Sequence, residues 1–455
     1  MDQRQAMSTM LASAFLRSKE LKNRILFLLG AIIIARVGTH IPLVGVDAVA
    51  LEAYSNTLSG GLLGVFNTFS GGALERMSIF VLFVFPYISA SIVMMVARFS
   101  IPYLSELAKD GSKGRAVIEQ YTKYLALVIS FAQGFGVAKV LQAQQVNGNG
   151  EVLNLVADQS LMFPLHTALT IAASTMFLTW LGNRITEKGL YQGMSVLIFV
   201  NIIASAPSAF SQLIEMNQIG TVTGFGILAI VAWIIGILAF CCFVESSFRK
   251  LVLKNPRALS QARQGNVDFS NESYLPYKVN SPGVMPVIFG SVVMTGLLSL
   301  FAMFPESEIA VQMASVFAQG SIANAIVYAA VIIVFSFVMA AAMYDTNQQA
   351  ENLRKNGDFI PGLRPGKPTQ EYLDFVLTRL TFIGAMYLVA VCVTPELIGF
   401  GSNLALLFSG TGVLIIVSVI MGIFDDVKRH VKEQIQSELM SRHSLRKGPR
   451  RKVQR

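Results

Sequence analysis

Charge is scarce in this chain: 14% of its 455 residues are Asp, Glu, Lys or Arg, against 53% that are hydrophobic. A soluble globule of this length needs more polar residues than that to cover its surface, so the composition excludes one. Cysteine is nearly absent. Cys241, Cys242 and Cys392 all fall inside apolar runs, with neither C-x-x-C spacing nor a histidine at ligand distance, which excludes a disulfide framework and leaves buried, inert thiols. The four histidines, His40, His166, His430 and His443, are scattered. The chain also lacks H-E-x-x-H, G-x-x-x-x-G-K-[ST] and G-x-S-x-G, so no enzyme activity, metal or cofactor is expected.

What the chain has instead is long apolar runs. A span needs roughly 20 such residues to cross the hydrocarbon core of a bilayer. Ten runs qualify, near 25–45, 76–97, 122–142, 161–182, 191–211, 223–244, 283–303, 323–344, 376–396 and 405–424. Unpaired backbone groups are prohibitive in lipid, and the runs are too long and too continuous for barrel strands, so an all-α polytopic membrane protein of ten transmembrane helices is expected. The first run follows a basic stretch ending Lys22-Asn23-Arg24 and no small-residue cleavage site follows it, which reads as a retained helix.

An even number of spans puts both termini on one side. The connectors on that side, residues 1–24, 98–123, 183–190, 245–282, 345–380 and 425–455, hold every Lys and Arg of the chain except Arg36, Arg76 and Lys139. The opposite side keeps acidic residues such as Asp47, Glu151 and Glu306. The positive-inside rule therefore places both termini in the cytoplasm. A missed or invented helix would swap every later connector and destroy this asymmetry, so the count also tests the ten-span reading.

The net charge of +9 follows largely from that topology and from attraction to anionic lipid, not from nucleic-acid binding. Two connectors exceed what topology requires, 245–282 and 345–375, and both carry turn formers, Asn255-Pro256 and Pro361-Gly362-Leu363-Arg364-Pro365-Gly366. The tail from Lys428 adds Arg446, Lys447, Arg450, Arg451, Lys452 and Arg455, a polybasic end suited to acidic lipid, RNA or an acidic partner.

No run carries a mid-span Asp or Glu, so a carboxylate proton relay of the kind that ion-coupled transporters use is not expected. Before the second span lies Gly60-Gly61-Leu62-Leu63-Gly64-Val65-Phe66-Asn67-Thr68-Phe69-Ser70-Gly71-Gly72, an apolar stretch too short to span and bounded by glycine. It fits a re-entrant helix shielded by protein, or an interfacial amphipathic helix. Small and hydroxyl residues cluster within spans, as at Ser89-Ala90-Ser91 and Gly290-Ser291, which suits close helix packing or helices that must separate.

Several segments resemble the SecY family of protein-conducting channels: Phe66 to Leu74 followed by Pro86-Tyr87-Ile88-Ser89-Ala90-Ser91-Ile92, Gln120 to Tyr124, Thr175 to Gly182, Ile185 to Gly189, Lys278-Val279-Asn280 with Gly283-Val284-Met285-Pro286, and Thr378 to Thr381. The strongest loop match is Asn352 to Gly357 with Phe359 to Gly366. These occur in family order over nearly the whole chain.

The resemblance implies two inverted halves of five helices with a central hourglass pore, residues 25–211 and 212–424, between a cytoplasmic segment 1–24 and a basic tail 425–455. It implies an apolar pore ring of Val84, Ile88, Met194, Ile198, Ile288 and Ile415. Val84 with Ile88, and Met194 with Ile198, are four apart, as convergence from one helix face requires. It makes the stretch 61–70 a re-entrant plug, with Leu62, Leu63, Gly64, Val65, Phe66, Asn67, Thr68 and Phe69 at its centre, and a lateral gate of Ser89, Ser91 and Ile92 opposite Val287 and Ser291. Arg364, Arg354 and Lys355 would meet the motor or the ribosome, as would Arg257 and Arg263.

The implied partners are SecE, SecG, the ATPase SecA, translating ribosomes, polypeptides bearing signal sequences and acidic phospholipid, with no small-molecule substrate. One departure weakens the ribosome expectation: the fourth cytoplasmic loop of the family carries adjacent basic residues, whereas Ala258 to Ala262 separate Arg257 from Arg263 here. Two rival classes remain compatible with composition and topology, a small-solute or lipid-linked substrate transporter and a non-channel insertase. The first lacks its mid-span carboxylates, and the second would rest on Arg36 alone.

Overall fold

Each of the ten apolar runs overlaps a helix. The computed structural model describes residues 19–46, 70–73, 76–143, 145–148, 151–156, 158–220, 223–254, 274–302, 312–313, 321–398 and 410–446. In chain order the helices are α1 (Lys19–Gly38), α2 (Phe85–Ser100), α3 (Pro102–Lys109), α4 (Gly111–Ala143), α5 (Met162–Lys188), α6 (Gly193–Gln218) and α7 (Gly224–Glu245), then α8 (Met285–Ala302), α9 (Ile322–Met343), α10 (Thr346–Asn356), α11 (Lys367–Ile398) and α12 (Gly410–Arg446). Among the described residues five stretches, in α5, α7, α9, α11 and α12, are long and apolar enough to cross a membrane by themselves, and the pair α2 and α3, bent by 99°, would make a sixth. The count of ten therefore rests on the apolar runs and their charge asymmetry.

The expected all-α architecture needs one amendment. Two antiparallel hairpins lie in connectors: β1 (Gln145–Gly148) with β2 (Glu151–Asn154), and β3 (Phe248–Val252) with β4 (Tyr274–Lys278). Both are short and sit outside the apolar runs, where the chain does not have to satisfy its backbone within one segment.

The second helix also starts later than its apolar run. Residues 76–84 form turns, and α2 begins at Phe85 with Pro86 in its first turn. Met77 and Phe83 have φ of 42° and 48°, left-handed conformations that an α-helix cannot contain. Pro86 loses nothing in the first turn, where its missing N–H would have had no partner. At the other end Pro102 ends α2 and starts α3.

Within the amino-terminal half α4 packs on α2 and α5, and α5 on α6; within the carboxy-terminal half α9 packs on α8 and α11, while α12 meets α7 and α11. The halves touch where α2 meets α8 and where α6 meets α12. Small residues permit the closest approaches: a Cβ on Gly410 would fall 2.1 Å from the carbonyl oxygen of Val391. One cluster, drawn from α1, α2, α5 to α9, α11 and α12, forms the main core. Leu26, Leu29 and Ile33 of α1 and Leu228 and Phe243 of α7 point outward, and only Cys241 and Glu245 of α7 are buried, the pattern of helices whose outer faces meet lipid.

Candidate functional site

The six residues of the expected ring come from four helices and both halves. Val84 caps α2, where its carbonyl accepts the N–H of Ile88 at 3.1 Å; Met194 and Ile198 lie in the first turns of α6, Ile288 on α8 and Ile415 on α12. All six belong to the main core cluster, and none is more than 8% exposed. The seat of Met194 is specific. A Cβ on Gly182 would fall 2.7 Å from its sulfur, so the bare glycine on α5 makes room for the thioether. The turn leading into α6 is fixed by the Thr186 hydroxyl, which accepts the N–H of Gly193 at 2.8 Å. Aliphatic side chains of this kind offer no hydrogen bond to a polypeptide and no ligand to a hydrated ion, the chemistry of a dry constriction.

The expected gate residues lie on α2 and α8, two helices that pack together. Ile92 and Val287 are buried, and Ser89, Ser91 and Ser291 are half-buried. Ser89 donates to the carbonyl of Phe85 at 3.1 Å and Ser91 to that of Tyr87 at 2.9 Å. A hydroxyl has one donor proton, so both serines spend theirs on their own helix and not across the α2–α8 seam. On its other side α8 is held firmly. Gly290 lies against Tyr328 and Ile332 of α9, the Tyr328 hydroxyl donates to the Val287 carbonyl at 3.4 Å, and Phe289 meets Phe335 edge to face at 5.9 Å. α8 is thus packed more closely on α9 than on α2.

Arg354 and Lys355 stand exposed in the last turn of α10, and Arg364 stands exposed in the turn that leads to α11. Gly357, with φ of 75°, closes α10 in the left-handed conformation that terminates a helix. Beneath these charges lies a core that sequence reasoning missed. Leu251, Leu253 and Tyr277 of the loop 245–282 pack with Ala350, Leu353, Ile360, Leu373 and Leu377 of the loop 345–375 and the start of α11. The N–H of Lys254 donates to the Phe359 carbonyl at 2.9 Å, and the Tyr277 hydroxyl donates to Gln349. The local signal is slight: Leu251 and Leu253 stand two apart, as do Leu275 and Tyr277, the spacing that puts each pair on one strand face. The two loops are one platform.

The expected plug residues Leu62 to Phe69, together with Arg257 and Arg263, lie outside the described residues. The residue that ends the plug stretch, Ser70, is fully buried, as is Ala73.

The SecY family model matches residues 78–424. The chain is 35% identical over 432 residues to the protein translocase subunit SecY of Rickettsia bellii, covering 94% of this chain and 98% of that one. It is 37% identical over 431 residues to the subunit of the same name from Pseudomonas aeruginosa, covering 94% and 95%. A solved structure described as that of a protein conducting channel superposes with a TM-score of 0.64 at 15% identity, covering 91% of this chain and 93% of the other. That likeness carries the fold.

Proposed function

The chain belongs to the SecY family, and from that premise we propose that it is the channel-forming subunit of a protein translocase in the bacterial inner membrane. It moves unfolded secretory polypeptides across the membrane and releases membrane segments sideways into lipid. The observation that carries this reading is similarity over nearly the full length of translocase subunits from two bacteria. The same observation sets aside the solute-transporter alternative.

In this reading residues 25–211 and 212–424 are the two halves, and Val84, Ile88, Met194, Ile198, Ile288 and Ile415 form the constriction between them. Their burial in one apolar cluster supports it. The stretch 61–70 plugs the pore, and α2 parts from α8 when a signal sequence enters lipid. Both termini face the cytoplasm in this reading, which the distribution of Lys and Arg supports. The platform of loops 245–282 and 345–375 then faces the cytoplasm and presents Arg354, Lys355 and Arg364 to the motor SecA or to a translating ribosome, with Arg257 and Arg263 on the same loops. SecE and SecG complete the complex, acidic phospholipid holds the basic tail, and the driving energy comes from the motor or the ribosome.

The test uses single cysteines at Ile88 and Ile288, with Cys241, Cys242 and Cys392 replaced, against a cysteine in a secretory chain arrested midway through export. Crosslinks at both positions are expected. Their absence at both, with export still competent, would overturn the assigned path.

A further inference from the structure

Arg36 has no role in the channel as described so far, yet it is a guanidinium in the last turn of a helix assigned to the membrane, where an ionised group is expensive. Its Nη1 donates to two acceptors on two other elements: the backbone carbonyl of Gly71 at 3.3 Å and Oδ1 of Asn201 on α6 at 3.4 Å. Its own carbonyl is engaged as well, accepting the Thr39 hydroxyl at 2.7 Å. One cation therefore joins α1, the segment 70–73 and α6.

Four further observations make this join specific. Gly71 has φ of 68°, and a Cβ there would fall 2.6 Å from Arg36 Nη1 and 3.1 Å from Asn201, so the backbone at 71 fits between the two side chains only without a side chain of its own. Asn201 is 1% exposed, so its amide is committed inside the protein. It also lies three residues after Ile198 on the same helix, which puts it on the face that carries the ring residue and one turn away from it. Ser70 and Ala73, on either side of the glycines, are fully buried.

We propose that Arg36 is a positioning residue of the closed channel, clamping the segment that directly follows the plug stretch to the ring helix. The proposal rests on the channel reading and adds to it a residue outside ring, plug and gate. Both of its acceptors are neutral, and both bonds lie at the long end of the hydrogen-bond range, so the clamp biases the closed state yet releases without separating an ion pair. The guanidinium is suited to this because Nη1 alone carries two protons, one for each acceptor, at the end of a weakly hydrated planar group; an ammonium is a more compact, more strongly hydrated charge that serves the same geometry less well.

The experiment measures export of two reporters in cells that depend on this chain, one with an intact signal sequence and one whose signal lacks its apolar core, together with ion conductance of vesicles holding the purified complex. Arg36→Ala is expected to raise export of the defective reporter and the conductance about tenfold, the effect of losing roughly one net hydrogen bond from the closed state, while the intact reporter continues to be exported. Asn201→Ala should do the same, the double variant should exceed neither by much, and Arg36→Lys should fall between Arg36→Ala and the parent. A purely structural role predicts loss of export, never a gain for the defective signal. If Arg36→Ala does not accumulate, Gly71→Ala wedges the same join apart and must show the same gain. Defective-signal export and conductance at parental levels in whichever of these variants accumulates, with intact export normal, would overturn the clamp. Export of the intact reporter that proceeds unchanged without the chain would instead overturn the channel reading and the clamp with it.

Discussion

The backbone N–H of Tyr191 donates to Oδ2 of Asp426 across 2.9 Å, tying the turn between α5 and α6 to α12 and so one half of the molecule to the other. Tyr191 holds φ of 61°, and its ring lies so close to α12 that a Cβ on Gly422 would fall 2.2 Å from it. The preceding carboxylate, Asp425, faces Lys278 of β4 at 3.5 Å. Two adjacent acids on α12 thus reach in different directions, one toward the amino-terminal half and one toward the platform of the two loops. Met194 of the proposed ring lies three residues beyond Tyr191, so this junction stands close to the proposed constriction.

Gly422→Ala should therefore weaken the junction between the halves, because the new methyl displaces the Tyr191 ring; overpacking of this kind costs about 1–3 kcal/mol. Asp426→Ala removes a charge-assisted bond and should cost about 1.5–3 kcal/mol. Melting curves of the purified complex check both. Unchanged melting temperatures in the pair would show that the halves are held elsewhere.

Much of this was legible from the chain because lipid imposes simple rules. The apolar runs announce a mostly helical membrane protein, and each run overlaps a helix among the described residues; the count of ten rests on the runs and the placement of Lys and Arg. The later start of α2 was half legible: Pro86 marks a first turn, but nothing local announces left-handed Met77 or Phe83, which are not glycines. The ring positions came from family resemblance, with four-residue spacing as an independent check at two pairs only. The joins that depend on distant residues were not legible at all. Arg36 and Asn201 are 165 positions apart, and Tyr277 meets Gln349 across 72. Such pairings depend on how helices cross, and no period or cap in either segment encodes that.

Arg364 is exposed in the turn before α11, and its carbonyl, not its guanidinium, supports the fold by accepting the Thr369 hydroxyl at 2.8 Å. Arg364→Glu should therefore leave stability within about 0.5 kcal/mol of the parent, as is usual for surface changes. Reversing the charge at a docking surface should lower motor-driven export about tenfold or more, with a steeper loss at low salt. Stimulation of the motor ATPase by vesicles holding the variant is the measurement, and full stimulation would remove Arg364 from the contact.

Burial pushes the Tyr277 phenol up to about 12, with Tyr344 and Asp374 adding to the effect. An unfolded tyrosine titrates near 10. Because the folded value is the higher one, the protonated phenol contributes platform stability that is fully present below about pH 10 and lost as pH rises toward about 12. Hydrogen exchange of the two loops should accelerate across that window in the parent and lose this component in Tyr277→Phe, which cannot ionise. Identical pH profiles in the two proteins would show that the Tyr277 phenol does not support the platform.

Ile288 gives the most direct test of the seal, because it is 6% exposed in the apolar cluster to which all six proposed ring residues belong. An amide placed there by Ile288→Asn loses water without gaining a partner while the channel is closed, at a cost of about 1–3 kcal/mol. When the halves part, the amide meets water or a passing chain and the cost is relieved. The substitution therefore raises the closed state relative to the open one, which corresponds to roughly a 5- to 150-fold shift toward opening. Ion conductance and export of signal-defective reporters should both rise, whereas Ile288→Leu, which keeps volume and chemistry, should change neither. If Ile288→Asn folds, supports normal export and leaves conductance at the parental level, the constriction is not where Ile288 stands, and the side chains of α8 serve packing alone.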